Sequence, residues 1–172
     1  MHPSSMENMK RALSKITLGQ NLTILDVGGR ALTADRDRSY QSLFTDVAEN
    51  YYIADIVDGP GVTHVMVGDY GLPFENNTFD LIVSGQTLEH VKNPFKSVQE
   101  MKRVLKYKGY MILIAPSAGP RHDSIDCWRF MDDAFSAIAA DVGLKTIADW
   151  IDRSAPDERS RKWADHVFIG QK

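Results

Sequence analysis

The chain has 172 residues, 43% of them hydrophobic and 25% charged, with a formal net charge of -3. This length suits a single domain, and the composition is that of an ordinary globular protein. The acidic balance argues against a broad basic face for nucleic acid. No apolar run approaches the roughly 20 residues of a membrane span, so we expect a soluble cytoplasmic protein without nucleic-acid or membrane partners.

An amphipathic helix is predicted within residues 1–20, and we expect it to pack on the rest of the domain. Ser4 and Glu7 have the spacing of a capping box for this helix. The apolar run over residues 22–27 predicts a parallel strand buried on both faces. A polar loop over residues 28–39 then lies over the end of that strand.

The rest of the chain alternates between predicted strands and helices. Asn93 and Pro94 form a good helix start, because Asn caps a helix and Pro suits its first position. Predicted strands cover residues 51–55, 63–67, 79–84, 110–115, 144–151 and 163–170, and predicted helices cover residues 40–47, 93–109 and 132–139. This alternation predicts an open, doubly wound α/β sheet in one domain over residues 1–172.

Candidate binding residues follow the predicted strands, where a doubly wound sheet places its ligands. Gly28 and Gly29 follow the first strand and admit close approach of a ligand, although they suit a tight turn equally well. Asp55 ends the second strand, where a carboxylate can accept both hydroxyls of a ribose. Asp69 follows the third strand, where it can accept an adenine amino group or cap its own backbone.

The turns after the strands also carry three motifs, Asp26-Val-Gly-Gly29, Asp69-Tyr-Gly-Leu-Pro-Phe74 and Leu88-Glu-His90. Together they resemble the class I S-adenosylmethionine (SAM) dependent methyltransferases, in a small bacterial type 11-like branch. The resemblance implies SAM as the cofactor. It also implies a Rossmann-like, mostly parallel sheet of seven strands with helices on both faces and an antiparallel last strand.

The resemblance also assigns roles to residues along the strand ends. Asp55 would hold the ribose and Ile56 would lie against adenine. Arg30 and Leu32 stand where the family usually has glycine, which makes Arg30 a candidate for the SAM carboxylate or for shaping the pocket. The full set of implied cofactor residues is Asp26, Gly28, Gly29, Arg30, Tyr40, Asp55, Ile56, Asp69, Tyr70, Ser84 and Gln86.

A second part of the resemblance follows the fifth strand, where His122 precedes Asp126-Cys-Trp-Arg-Phe130. His122 is a candidate base that could take a proton from an acceptor at neutral pH, oriented by Asp123 or Asp126. Alternatively, His122 and Arg129 pin a lid loop that Trp128 and Phe130 anchor in the core. The implied substrate-binding residues are His122, Asp126, Trp128 and Arg129.

The spacing of His, Cys and acidic residues indicates no metal site, and the single Cys127 is expected to be a half-buried packing residue. We therefore expect a SAM-dependent methyltransferase, as a monomer or homodimer, that modifies an oxygen, nitrogen or carbon of a small molecule or of a sugar-linked or lipid-linked intermediate. Two alternatives remain at this point. One is a catalytically degenerate SAM-binding or scaffold protein, and the other is an NAD-dependent dehydrogenase.

Overall fold

The computed structural model describes residues 3–31, 39–154 and 158–172, and for residues 159–160 it describes the backbone alone. Leu32 therefore lies outside the described residues. The described chain forms a sheet of seven strands with four α-helices. In chain order these are α1 (Pro3–Leu13), β1 (Leu22–Val27), β2 (Ala48–Asp55), β3 (His64–Val65), β4 (Phe79–Gly85), α2 (Pro94–Val104), β5 (Leu105–Pro116), α3 (Ala134–Val142), β6 (Lys145–Ile151), α4 (Glu158–Arg161) and β7 (Asp165–Gln171).

The strands lie in the order β3-β2-β1-β4-β5-β7-β6. Every pair among the first five strands is parallel, whereas β7 runs antiparallel to both β5 and β6. The predicted doubly wound sheet with an antiparallel last strand is therefore confirmed. The order of strands reverses between β1 and β4, and a crevice for a ligand opens at such a point, beyond the carboxyl ends of the strands.

Each face of the sheet carries its own hydrophobic core. On one face, Leu25 of β1 and Met111 of β5 share a buried cluster with Met101 of α2 and Phe135 of α3. On the other face, the alternate residues of the same strands share a cluster with Met9 and Ala12 of α1. Alternation of side chains along a strand explains this division. Helices thus cover both faces, as predicted.

Two local signals in the sequence behave as predicted. Asn93 caps α2, because its side chain accepts a hydrogen bond of 3.1 Å from the Lys96 backbone N–H, and Pro94 occupies the first turn. Gly143 ends α3 in the left-handed conformation, with a φ of 71°. Both helices are therefore positioned by short-range chemistry.

Several predicted element boundaries are wrong. Residues 40–47 form only a short 3₁₀ turn (Tyr40–Leu43), because the chain already enters β2 at Ala48. The helix predicted over 93–109 ends at Val104, since Leu105 has an extended backbone and pairs with Phe79 at the start of β5. The short helix α4 was not predicted.

A polar network attaches α1 to the sheet at the carboxyl ends of the parallel strands. Ser4 Oγ donates to Asp165 Oδ2 at 3.2 Å. Because α1 already begins at Pro3, Ser4 lies inside the helix and does not form the predicted capping box. Asn8 Nδ2 also donates to Asp165 Oδ2, and Gln86 Nε2 donates to Asp165 Oδ1. Asp165 at the start of β7 therefore connects α1 to the turn after β4. No helix in the described ranges is both long and apolar enough to cross a lipid bilayer.

Candidate functional site

Gly28 and Gly29 form a closely packed turn directly after β1. Gly28 has a φ of 78°, and a Cβ atom at this position would lie 2.2 Å from Thr87 Oγ1. A Cβ atom at Gly29 would lie 2.5 Å from the carboxyl group of Asp26. Both positions therefore favour glycine on steric grounds, and Gly28 also because L side chains rarely adopt the left-handed region.

Asp26 lies within the sheet below this turn. Its side chain is buried and accepts a hydrogen bond of 2.9 Å from the Tyr51 hydroxyl. Burial, with a smaller contribution from the nearby negative charge of Asp55, raises the pKa of Asp26 to about 7 against the opposing hydrogen bond from Tyr51. The buried Asp26 side chain therefore packs beneath the turn formed by Gly28 and Gly29.

Asp55 ends β2 beside Arg30. The Arg30 Nε atom lies 3.7 Å from Asp55 Oδ1, and the Arg30 side chain passes over Gly59, where a Cβ atom would be only 2.8 Å away. Arg30 Nε is buried and has no hydrogen-bond partner among the described residues. The structure thus places Arg30 on the β2 side of the crevice, next to the predicted ribose site.

The residues predicted to contact adenine lie on the surface around the end of β2. Ile56 is 61% exposed and offers an apolar face. Asp69 follows β3 and forms an exposed ion pair with Lys92, at 3.4 Å between Nζ and Oδ2. The Tyr70 ring faces the ammonium group of Lys96 at 5.8 Å. These residues leave an open edge between β2, β3 and the start of α2.

Besides Asp26, three more of the predicted cofactor residues have side chains that are already hydrogen bonded inside the protein. Tyr40 is fully buried, and its hydroxyl contacts Ser5 Oγ at 2.6 Å. Ser84 Oγ donates to the Val27 carbonyl at 2.8 Å, which joins β4 to β1. Gln86 is held by Asp165, as described above. Contact of Ser84 or Gln86 with a cofactor would therefore use mainly their backbone.

The loop after β5 is organised around a buried ion pair. The side chain of Asp126 is 0% exposed and receives two hydrogen bonds from Arg129, of 2.5 Å and 2.8 Å. These bonds hold the pKa of Asp126 well below its usual range. Arg129 also donates to the carbonyls of Gly119 and Pro120. The pair therefore fixes both the carboxylate and the loop.

His122 lies above this ion pair, with its ring between the rings of His90 and Trp163, at centroid distances of 5.0 Å and 4.7 Å. Its Nδ1 atom is 3.0 Å from Asp126 Oδ2. Because the ionised Asp126 can only accept, Nδ1 carries the hydrogen in neutral His122 and Nε2 keeps a free lone pair. This arrangement leaves Nε2 available to an acceptor, while the backbone N–H and Nδ1 of His122 both bond Asp126, so His122 also holds the loop together with Arg129.

Glu89 is the residue whose importance the sequence did not reveal. Its side chain is fully buried, and neither carboxylate oxygen has a hydrogen-bond partner in the described part of the chain. Burial raises its pKa to about 8. His90 Nε2 lies 3.7 Å from Glu89 Oε1. The signal was present in the Leu88-Glu-His90 motif, but its proximity to His122 depends on the fold.

The remaining residues of the loop after β5 anchor it at two points. Phe130 is buried and stacks on Phe135 with a centroid distance of 4.7 Å, as predicted for an anchor. Trp128 is 41% exposed, and its indole N–H donates to the Val91 carbonyl. Cys127 is exposed, so the expectation of a half-buried packing residue is wrong. Its backbone N–H donates to the Glu89 carbonyl, which joins this loop to the turn after β4.

Comparison with protein families gives a match to a methyltransferase domain model over residues 11–113. Among curated relatives, an uncharacterized methyltransferase of Schizosaccharomyces pombe is 28% identical over 121 residues. The match covers 58% of this chain and 44% of that protein. The chain therefore spans less than half the length of this relative.

Solved structures show the same fold at low sequence identity. A methyltransferase of Haloferax volcanii, solved in complex with the Trm112 activator, has a TM-score of 0.73 at 16% identity, covering 98% of this chain and 90% of that one. The 1,6-didemethyltoxoflavin-N1-methyltransferase of Burkholderia thailandensis, solved with S-adenosylhomocysteine, has a TM-score of 0.72 at 12% identity, with coverage of 99% and 77%.

Proposed function

The chain belongs to the methyltransferase domain family, and from this premise we propose that it is an active SAM-dependent methyltransferase. We propose as its acceptor an oxygen, nitrogen or carbon atom of a small molecule or of a sugar-linked or lipid-linked intermediate. SAM is the cofactor of the fold, and it supplies a methyl group already activated by the sulfonium sulfur. The protein then contributes mainly alignment of the two reactants and a water-poor site.

The carboxyl edge of β1 and β2 is the observation that carries this proposal. Gly28 and Gly29 make a tight turn at the end of β1, Asp55 offers a carboxylate for the ribose hydroxyls at the end of β2, and the exposed face of Ile56 suits adenine. The buried Arg30 Nε still lacks an acceptor within the described ranges, as expected beside a polar ligand group. The residues present therefore fit SAM.

The acceptor is proposed to lie on the other side of the crevice, over the ends of β4 and β5. His122 directs its free Nε2 lone pair away from Asp126, so it can take a proton from an acceptor hydroxyl or amine. Asp126 orients the ring through Nδ1, while Arg129 keeps Asp126 ionised. His122 is thus the proposed base of the methyl transfer.

Calorimetry with SAM and S-adenosylhomocysteine tests the proposal directly. We expect both to bind, and Asp55→Ala should weaken binding by roughly 10-fold to 100-fold because a carboxylate hydrogen-bonded to ribose is lost. Asp46→Ala is the matched control, since Asp46 precedes the opposite end of β2. Absence of binding at high micromolar concentration would overturn the proposal. A screen of metabolite extracts for the mass gain of one methyl group would then identify the acceptor.

A catalytically degenerate SAM-binding or scaffold protein is the second candidate, and the position of Arg30 favours it. The guanidinium group reaches toward Asp55, so it could take the place of the ribose. Arg30→Ala separates the two candidates by calorimetry. An affinity for SAM that rises in the variant indicates that Arg30 blocks the pocket, whereas an affinity that falls indicates that Arg30 contacts the cofactor.

A further inference from the structure

Three potential metal ligands converge at the acceptor side of the crevice. One oxygen of Glu89 and one ring nitrogen each of His90 and His122 all lie within 4.8 Å of one another. A first-row divalent ion lies about 2.0 to 2.2 Å from such ligands, which places the ligand atoms roughly 3 to 4 Å apart. A contraction of about 1 Å therefore closes the group around an ion, and His122 lies on a loop that is partly exposed.

Both histidines keep the same ring nitrogen available. Nδ1 of His90 is 2.5 Å from the Ile125 carbonyl, and Nδ1 of His122 is 3.0 Å from the Asp126 carboxylate. Both partners only accept hydrogen bonds, so each neutral ring donates from Nδ1 and leaves the Nε2 lone pair free. Histidines that bind metals in proteins are usually fixed in this way by a carbonyl or carboxylate.

Glu89 supplies the independent sign of a missing cation. Its side chain is fully buried, and both of its oxygens lack hydrogen-bond partners within the described residues. An unpartnered buried carboxylate is costly, and buried charged groups are normally paired or coordinated to a metal. The nearest described basic group is the ring of His90, whose Nε2 atom is 3.7 Å away.

We propose that Glu89, His90 and His122 bind one first-row divalent metal ion through the carboxylate and the two Nε2 atoms. Two histidines and one carboxylate form a recognised ligand set that leaves coordination positions open. The role of the ion in the reaction rests on the proposed function. The open coordination positions of the ion face the acceptor side of the crevice and bind an oxygen atom of the acceptor. The ion lowers the pKa of a bound hydroxyl, which loses its proton to solvent water; the resulting oxygen then takes the methyl group from the sulfonium sulfur, and S-adenosylhomocysteine leaves. In this arrangement His122 is a metal ligand in place of the base, and an oxygen acceptor is favoured over nitrogen or carbon.

Titration calorimetry of Co²⁺ and, separately, Mn²⁺ into the full chain, first dialysed against a chelator, tests the proposal without SAM or acceptor. We expect one ion per chain, and a loss of affinity of at least about tenfold in Glu89→Gln and in His122→Asn. Glu89→Gln keeps the shape of the buried side chain, and circular dichroism checks its folding. His122→Asn changes a side chain on a partly exposed loop, so this second variant does not alter the packing of the hydrophobic core.

Two control variants exclude nonspecific binding. His64→Gln removes a histidine on the far edge strand β3, and Cys127→Ser removes the exposed thiol of the neighbouring loop. Both should bind the ion like the wild type. No binding at millimolar metal, or binding that Glu89→Gln and His122→Asn leave unchanged, overturns the proposal.

The outcome is separable from that of the proposed function. SAM binding by the metal-free chain, with no metal binding, supports the proposed function and overturns the metal site. Metal binding that depends on Glu89, without SAM binding, supports the metal site and overturns the proposed function.

Discussion

The two sides of the candidate site differ in how the chain assembles them. On the cofactor side, Gly28 and Asp55 occupy the ends of the adjacent strands β1 and β2. On the acceptor side, Glu89 and His122 come from two separate loops, and the ion pair of Asp126 with Arg129 holds the second loop in place. The first side therefore depends on strand ends, whereas the second depends on contacts within one loop and between that loop and the turn after β4. We expect each side to be disrupted without the other.

Arg129→Ala is expected to have the largest effect and to act on the acceptor side alone. The substitution leaves the buried Asp126 carboxylate without its charge partner, so the free energy of unfolding should fall by about 4 kcal/mol in urea denaturation at neutral pH. Arg121→Ala is the control, because Arg121 lies in the same loop and bonds only exposed backbone carbonyls. A parallel loss of SAM affinity in folded Arg129→Ala would contradict the independence of the two sides.

Asp26, on the cofactor side, is expected to make the stability of the fold depend on pH. The pKa of Asp26 rises on folding from 3.8 to about 7, so the unfolded chain loses this proton first. The contribution of Asp26 is therefore most favourable below pH 4, is lost as the pH rises toward 7, and is constant above that. The loss amounts to roughly 4 kcal/mol.

Asp26→Asn isolates this contribution, since the amide resembles the protonated acid and cannot ionise. The difference in free energy of unfolding between Asp26→Asn and the wild type should shift in favour of the variant between pH 4 and 7, as measured by denaturation at several pH values. A difference that does not change with pH would show that Asp26 is ionised in the folded protein.

Gly28→Ala is expected to have the smallest effect on stability and to sharpen the comparison. The new Cβ atom must adopt a left-handed φ and displace Thr87, which should cost about 1 to 2 kcal/mol in free energy of unfolding. Gly68→Ala is the matched control, because Gly68 also has a positive φ but open space around it. We expect SAM affinity to fall in Gly28→Ala alone. An equal loss in both variants would remove Gly28 from the cofactor site.

The sequence predicted those parts of the fold that depend on local patterns. The apolar run at β1, the Asn93 cap and the Gly143 stop each act over a few residues, and each was located correctly. The boundary at Leu105 was missed, because an apolar residue continues the helical stripe while its backbone is already paired with Phe79. Helical periodicity cannot register such a pairing across the sheet.

The residues of the candidate site also differ in whether local sequence patterns could locate them. Asp55 could be located because it ends a strand at a suitable distance from Asp26. Glu89 could not, because its burial results from the loop after β5 folding over the loop after β4, where Cys127 bonds the Glu89 carbonyl. Arg30 was predicted as a candidate for the SAM carboxylate or for shaping the pocket, and its position beside Asp55 and Gly59 gives more support to the second role.

The attachment of α1 has a practical consequence for handling the protein. Ser4 bonds to Asp165, which lies at the same edge of the sheet as the crevice, while Gln171 pairs with Lys145 and Tyr110 at the opposite edge. An affinity tag or a fluorescent label joined ahead of α1 would therefore start beside the crevice. The same addition after β7 would start at the far side of the molecule, and that end is the one to use for immobilisation.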